Sequence, residues 1–329
     1  MKLPTHTKKS TKLGLLTLAS SLLLAAGLAH AEYPDRAVSW VIPFPPGGPT
    51  DVATRVLADA FSKELDNTFV AENKSGASGT IGVSNVIRSK PDGYTIGTMA
   101  APSLTAPYIL SSKPYDLSTD VQPIGLAYVT PLLLVVNPNV YPDVTDIKSL
   151  AEVAKKEKGL VYTTAGIGST AHLTIEIMKD ELGFESLHVP YQGSGPAVTA
   201  VLSGDVPVMY SDAVAVLPQI RAGKLRAIAI NSDVEIEGLE DVKTLEEQGV
   251  QSAKALSWGG VLAPRDIGEE KVKLLTTTLE KVLQDPDVAK RMRAVGAYPT
   301  YSTPEEMAEF IVRDSAIWEK AIKENDIKQ

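Results

Sequence analysis

The chain has 329 residues, room for about two domains, and its 44% hydrophobic and 22% charged residues form an ordinary globular mixture able to build a core. The absence of cysteine excludes a disulfide scaffold, thiolate metal sites and thiol catalysis together. The net charge of −8 excludes a polyanion binder, because nucleic-acid affinity comes largely from Lys and Arg.

Residues 1–31 read as a leader. Lys2, Lys8, Lys9 and Lys12 precede an apolar run from Leu13 to Leu28, and Ala29-His30-Ala31 is a small-x-small cleavage site. Without those four lysines the remaining chain is more negative still. The run is short for a membrane span, and no later stretch is apolar enough for one. The expectation is cleavage after Ala31 and a soluble, exported protein, for which a bacterial periplasm fits.

The mature chain then alternates short β-rich runs with helical stripes, the pattern of α/β units with a parallel sheet. Val38 to Phe44 predicts the first strand, followed by a Pro/Gly loop and a helix with Val52, Val56, Leu57, Ala60 and Phe61 on one stripe. Thr68–Asn73 predicts a strand, and a glycine-rich turn, Ser75–Gly82, opens a helix through Ile87. Pro91-Asp92-Gly93 is a turn. Tyr94–Ala100 predicts a strand running into a polar loop, Pro102–Thr105. A second set follows Leu132–Val136, with strands at Leu160–Thr164, Leu187–Tyr191, Val206–Ser211 and Leu225–Ile230. Trp258–Pro264 is a further strand, and two C-terminal helical segments end the chain. The last opens with a capping box, Thr303 to Glu306.

Two similar sets predict two α/β lobes with a ligand cleft between them. Residues 32–130 plus 254–329 form the first and 131–253, inserted, the second. Ligands in open α/β sheets bind beyond the carboxyl ends of the strands. Five loops there share a character: Pro43–Asp51, Gly76–Gly82, Ala100–Thr105, Thr164–His172 and Tyr191–Ala197. All are rich in small or hydroxyl residues and none holds Lys or Arg. Helix starts expose unpaired N–H groups and about half a positive charge. Several converging in a cleft would hold a carboxylate without a formal cation.

Individual side chains leave alternatives open. Asp51 is a cap or loop brace, or a direct ligand contact. Asp212 meets an amine or hydroxyl of the ligand, or braces a helix start. His172 donates to a ligand, or is a buried, satisfied histidine. Ser78 and Thr80 bring hydroxyls to the glycine-rich turn. Enzyme readings fare poorly: the nucleophile elbow and the dinucleotide fingerprint are both missing, and His172 with Glu176 lacks a second histidine for a metal. A hydrolase built on Ser169, His172 and Asp212 is not demanded by the spacing. No cofactor and no metal is expected.

Tyr33-Pro34-Asp35-Arg36 followed by Val41 to Asp51 closely resembles the opening of the Bug receptors, the substrate-binding proteins of tripartite tricarboxylate transporters. Glu72-Asn73, Lys90 to Thr95, Val189-Pro190-Tyr191, Gly193 to Ala197 and Leu202 to Asp205 continue the likeness across the mature chain. At Gly76-Ala77-Ser78-Gly79-Thr80 the sequence departs from the usual Gly-Ala-Gly-Gly-Asn of that family. The resemblance implies a type II-like Venus-flytrap periplasmic binding protein, monomeric and non-enzymatic. It implies capture of a small organic carboxylate for delivery to integral-membrane transporter subunits. The alternative is a sensor subunit reporting occupancy to a membrane kinase. It implies contacts from Phe44, Gly47, Gly48, Thr50, Ser103, Gly168, Ser169, Thr170 and Gln192.

Overall fold

The structure is a computed structural model that describes residues 1, 33–110, 113–191, 193–251 and 257–324. The expected leader and Gln192 lie outside the described residues. The chain divides into a short unit ending at Asp35 and a body, Arg36–Gln329, to which everything below refers.

The body contains two sheets, each with a core on both faces. The first has the order β11-β4-β10-β3-β1-β2, built from β1 (Val38–Ile42), β2 (Phe69–Asn73), β3 (Thr95–Ala100), β4 (Val121–Thr130), β10 (Ser257–Pro264) and β11 (Tyr298–Pro299). The second has the order β7-β6-β8-β5-β9, from β5 (Leu132–Val136), β6 (Leu160–Thr164), β7 (Ser186–Pro190), β8 (Val208–Asp212) and β9 (Arg226–Ile230). Both sheets are mixed, a correction to the expected parallel sheet. β1, β2 and β3 run parallel, while β10 is antiparallel to β3 and β4. β6, β7 and β8 run parallel, while β5 is antiparallel to β8 and β9. The parallel strands supply the strand-to-helix junctions in which ligands are expected.

The helices follow from sequence stripes and caps. α1 (Pro49–Glu64) starts with Pro in its first turn, where the missing N–H costs nothing, and buries Ala53, Val56, Leu57, Ala60 and Phe61. Phe61 meets Trp40 edge to face at 5.0 Å. A buried polar chain anchors the helix start: Trp40 Nε1 donates to Thr98 Oγ1 (2.9 Å), which shares a hydrogen bond with Thr54 Oγ1 (2.9 Å), and Thr54 donates to Thr50 O (2.7 Å). α2 (Thr80–Ile87) and α3 (Ala101–Ile109) complete the first run of helices. Pro102–Thr105 therefore lies inside α3, not in a loop. Pro102 sits in the first helical turn, which proline tolerates.

In the second half, α4 (Ile147–Lys156), α5 (Thr170–Leu182), α6 (Ser194–Ser203) and α7 (Ala213–Arg221) pack on the second sheet. Among the described residues three helices, not two, follow β10: α8 (Glu269–Gln284), α9 (Pro286–Ala294) and α10 (Pro304–Glu324). The capping box is present, with Thr303 N donating to Glu306 Oε2 (2.8 Å) and Glu306 N to Thr303 Oγ1 (3.2 Å). These helices return to the cores of the first sheet, where Leu275 and Leu279 meet Phe61, and Met307 and Trp318 meet Trp258.

The sheets are joined where β4 passes through Pro131 into β5. Leu132 N donates to Asn231 Oδ1 (2.8 Å) and Ala213 N to Pro131 O (2.8 Å), which tie the crossing strand to the ends of β9 and β8.

Candidate functional site

The first anion loop is built around Asp51. This carboxylate is 4% exposed and accepts from Gly47 N (2.9 Å), Arg55 Nε (3.0 Å) and Asn73 Nδ2 (2.8 Å). Burial alone would raise its pKa, but Arg55, the Gly47 amide and Asn73 outweigh burial and hold it below the ordinary carboxylate value. Asn73 Nδ2 also donates to Phe44 O (2.9 Å), so both ends of the Pro-Gly-Gly loop hang on one cluster. The amides at the start of α1, after Gly48, receive no side-chain cap.

The glycine-rich turn packs against that loop. Gly79 has a φ of +91°, and a Cβ there would stand 2.5 Å from Ser103 Oγ and 3.0 Å from the Phe44 ring. Only glycine lets these three meet. Thr80 Oγ1 donates within its own turn, to Ala77 O (2.9 Å). Ser103 is fully buried, its carbonyl accepts from Tyr115 OH (2.6 Å), and its own hydroxyl has no hydrogen-bond partner among the described residues. Buried hydroxyls are nearly always bonded, so Ser103 Oγ is a donor still available to a further group.

Loop 164–169 of the second half meets this group across α3. Thr105 Oγ1 donates to Gly168 O (3.1 Å), and Gly168 lies so near Ile109 that a Cβ would be 2.2 Å from its Cδ1. Ser169 caps α5 by accepting from His172 N (3.2 Å), and Thr170 Oγ1, buried at 4% exposure, has no hydrogen-bond partner among the described residues. Gly193 N donates to Ala165 O (3.0 Å), bringing the uncapped start of α6 alongside. Phe44, Thr80, Ser103 and the Pro-Gly-Gly loop thus form one cluster. Gly168, Ser169, Thr170 and His172 form a second, and Thr105 bridges the two.

His172 is a strut of its loop. Gly168 N donates to His172 Nδ1 (3.1 Å), which leaves the ring proton on Nε2. Its ring stacks on His188 at 4.0 Å, and Tyr162 stacks on His188 at 4.9 Å. His188 Nε2 pairs with Thr164 Oγ1 (2.9 Å). No hydrogen bond among the described residues joins the Ser169 hydroxyl to the imidazole. Burial drives both histidines down to about 4, and for His188 the neighbouring His172 adds to it. The neutral rings belong to the folded state, so their contribution is complete above the ordinary histidine value of about 6.5 and is lost as pH falls towards 4. Each ring adds a slope of up to ~1.4 kcal/mol per pH unit. Melting temperature is expected to fall through this window. A variant carrying His172→Asn and His188→Gln, whose amides can stand in for Nδ1 and Nε2 without titrating, should show a flatter profile.

Two contributors escaped the sequence reading. Tyr128 on β4 crosses over Gly259 on β10, where a Cβ would lie 2.1 Å from the phenol Cζ. This brings its buried hydroxyl beside Thr50. The other is the Arg55–Asn73 pair (2.7 Å) that flanks Asp51. Asp212, the last residue of β8, lies near enough to Tyr128 for its charge to act on that hydroxyl.

Comparison with known proteins finds relatives in sequence and in fold. The model of the tripartite tricarboxylate transporter family receptor matches residues 53–327. Protein BugT of Bordetella pertussis is 33% identical over 307 residues, covering 93% of this chain and 94% of BugT. The structure of the periplasmic binding protein BugD superposes with a TM-score of 0.77 at 33% identity, over 90% of this chain and 99% of BugD. Rpa4515 of R. palustris, solved with adipate, gives 0.80 at 32% identity over 90% and 99%.

Proposed function

Since the chain belongs to the tripartite tricarboxylate transporter receptor family, we propose that it is a periplasmic receptor, exported by a cleavable leader, that captures a small organic carboxylate. It delivers that ligand as a monomer to integral-membrane transporter subunits. The fold is that of a two-lobed binding protein, and Rpa4515, of the same fold, holds adipate.

The observation that carries this reading is the pair of unpartnered buried hydroxyls, Ser103 Oγ and Thr170 Oγ1, one on each side of the Thr105–Gly168 contact. The starts of α1, α2, α3 and α6, none capped by a side chain, support the same reading. Neutral donors from both lobes suit a carboxylate, and a ligand reaching both stabilises the closed form by its preference for it.

Thermal-shift measurements over a carboxylate panel (adipate, malate, citrate, nicotinate and amino acids) are expected to show a rise in melting temperature with at least one of them. A ligand at about 100 times its Kd stabilises the native state by about 2.7 kcal/mol. Calorimetry should then return one site per chain with the ligand unchanged afterwards. A panel without a single binder, or turnover of the ligand, overturns the reading.

A further inference from the structure

Ser103 sits in a helix that cannot complete its own bonding. In an α-helix the carbonyl of each residue accepts from the N–H four residues on. Four residues on from Ser103 in α3 stands Pro107, which has no N–H to give. The Ser103 carbonyl therefore lacks its helical donor, in a residue that is 0% exposed. Tyr115, from the segment that follows α3, fills the gap: its hydroxyl donates to Ser103 O at 2.6 Å. Tyr115 is itself buried, at 4% exposure.

The residue after it fixes the phenol in place. The Asp116 carboxylate accepts from Ser118 N (3.0 Å), Ser118 Oγ (2.6 Å) and Lys113 Nζ (2.7 Å), and the Asp116 N–H donates to Asp120 Oδ2 (2.8 Å). The Tyr115 bond does more than repair a helix, because of what α3 carries. The residue whose carbonyl takes the phenol also holds a buried hydroxyl with no hydrogen-bond partner among the described residues. Two residues on, Thr105 Oγ1 donates to Gly168 O (3.1 Å) in the second half of the chain. The orientation of this first stretch of α3 thus governs both groups at once.

Building on the carboxylate-receptor reading, we propose that Tyr115 is a positioning residue of that site. By supplying the donor that Pro107 withholds, it sets where the Ser103 hydroxyl points and where Thr105 meets Gly168. It acts through Ser103 and not by touching the ligand. Without the phenol the Ser103 carbonyl is a buried acceptor with nothing to accept, which costs more than an ordinary hydrogen bond contributes. The start of α3 then turns to find another donor, and ligand binding has to reverse that shift.

The test is a double-mutant cycle read by calorimetry, with the tightest binder among adipate, malate, citrate, nicotinate and the amino acids. Tyr115→Phe keeps the ring and should weaken that compound about tenfold, while a cooperative melt and an unchanged circular dichroism spectrum show that it folds. Pro107→Ala gives α3 back a backbone N–H for the Ser103 carbonyl. In the Pro107→Ala background, Tyr115→Phe should therefore cost less than about threefold in affinity. A tyrosine that only steadied the fold would lower the melting temperature of Tyr115→Phe and leave its affinity unchanged. That result, or a loss equally large in the Pro107→Ala background, overturns the proposal while leaving a carboxylate receptor standing. If no compound of the set binds the wild-type chain, the receptor reading falls and this proposal with it.

Discussion

Asp51→Ala is expected to lower carboxylate affinity at least tenfold and to cost about 2–3 kcal/mol of stability, read by calorimetry and by urea unfolding. The magnitude follows from what the carboxylate holds. It takes the Gly47 amide, the Arg55 guanidinium and the Asn73 amide, all within 3.0 Å, at 4% exposure. Removing a buried acceptor strands its donors, at about 1–3 kcal/mol each where water cannot replace it. Gly47 and Arg55 are exposed enough to find water, so the sum lies well below three full penalties. Asp51→Asn is the sharper probe of geometry. The introduced amide keeps one acceptor oxygen but must turn its NH2 towards either Gly47 N–H or the Arg55–Asn73 side. It should retain most of the volume and still lose affinity. Unchanged binding in both variants would show that the Pro-Gly-Gly loop keeps its shape without this carboxylate.

The parts of the site that were legible in the sequence are local ones. Each strand-to-helix junction announces itself by Gly, Pro, Ser or Thr between an apolar run and a helical stripe, which is how Phe44 to Asp51 and Gly168 to His172 are found. The same punctuation misleads where proline is compatible with regular structure. Pro102 suggests a loop but occupies the first turn of α3. Pro123 and Gly125 interrupt the pattern of β4, which nonetheless runs from Val121 to Thr130. Gly125 is required there because a Cβ would lie 2.5 Å from Ser302 O in the segment leading to α10. Long-range pairings leave no local trace. Tyr128 lies over Gly259, and Thr105 reaches Gly168, only because antiparallel β10 and the closing of the two halves bring them together. The role of Asp51 fell between two readings because its partners, Arg55 and Asn73, come from different elements. One is a helical turn away and the other ends the neighbouring strand.

Gly82→Ala separates packing from helix propensity where α2 meets the Pro43 loop. In an ordinary helix interior alanine is better than glycine by about 1 kcal/mol, and Gly82, in α2, has no unusual backbone angle to defend. What it defends is space. A Cβ at this position would stand 2.6 Å from Pro43 Cα and 2.8 Å from Lys74 O. Neither is the flexible end of a side chain, so either α2 or the Pro43 loop has to move. Overpacking of this kind costs about 1–3 kcal/mol. α2 begins beside Gly79, which touches Ser103 and Phe44, so the displacement falls on the groups proposed to gather round the ligand. Carboxylate affinity is therefore expected to drop by about tenfold to a hundredfold, the equivalent of that strain at 1.4 kcal/mol per decade. The helical content should stay unchanged by circular dichroism. A gain in stability with full affinity would mean that α2 and the Pro43 loop are free to part without consequence, and the close approach of these two elements would then have no role in holding the ligand.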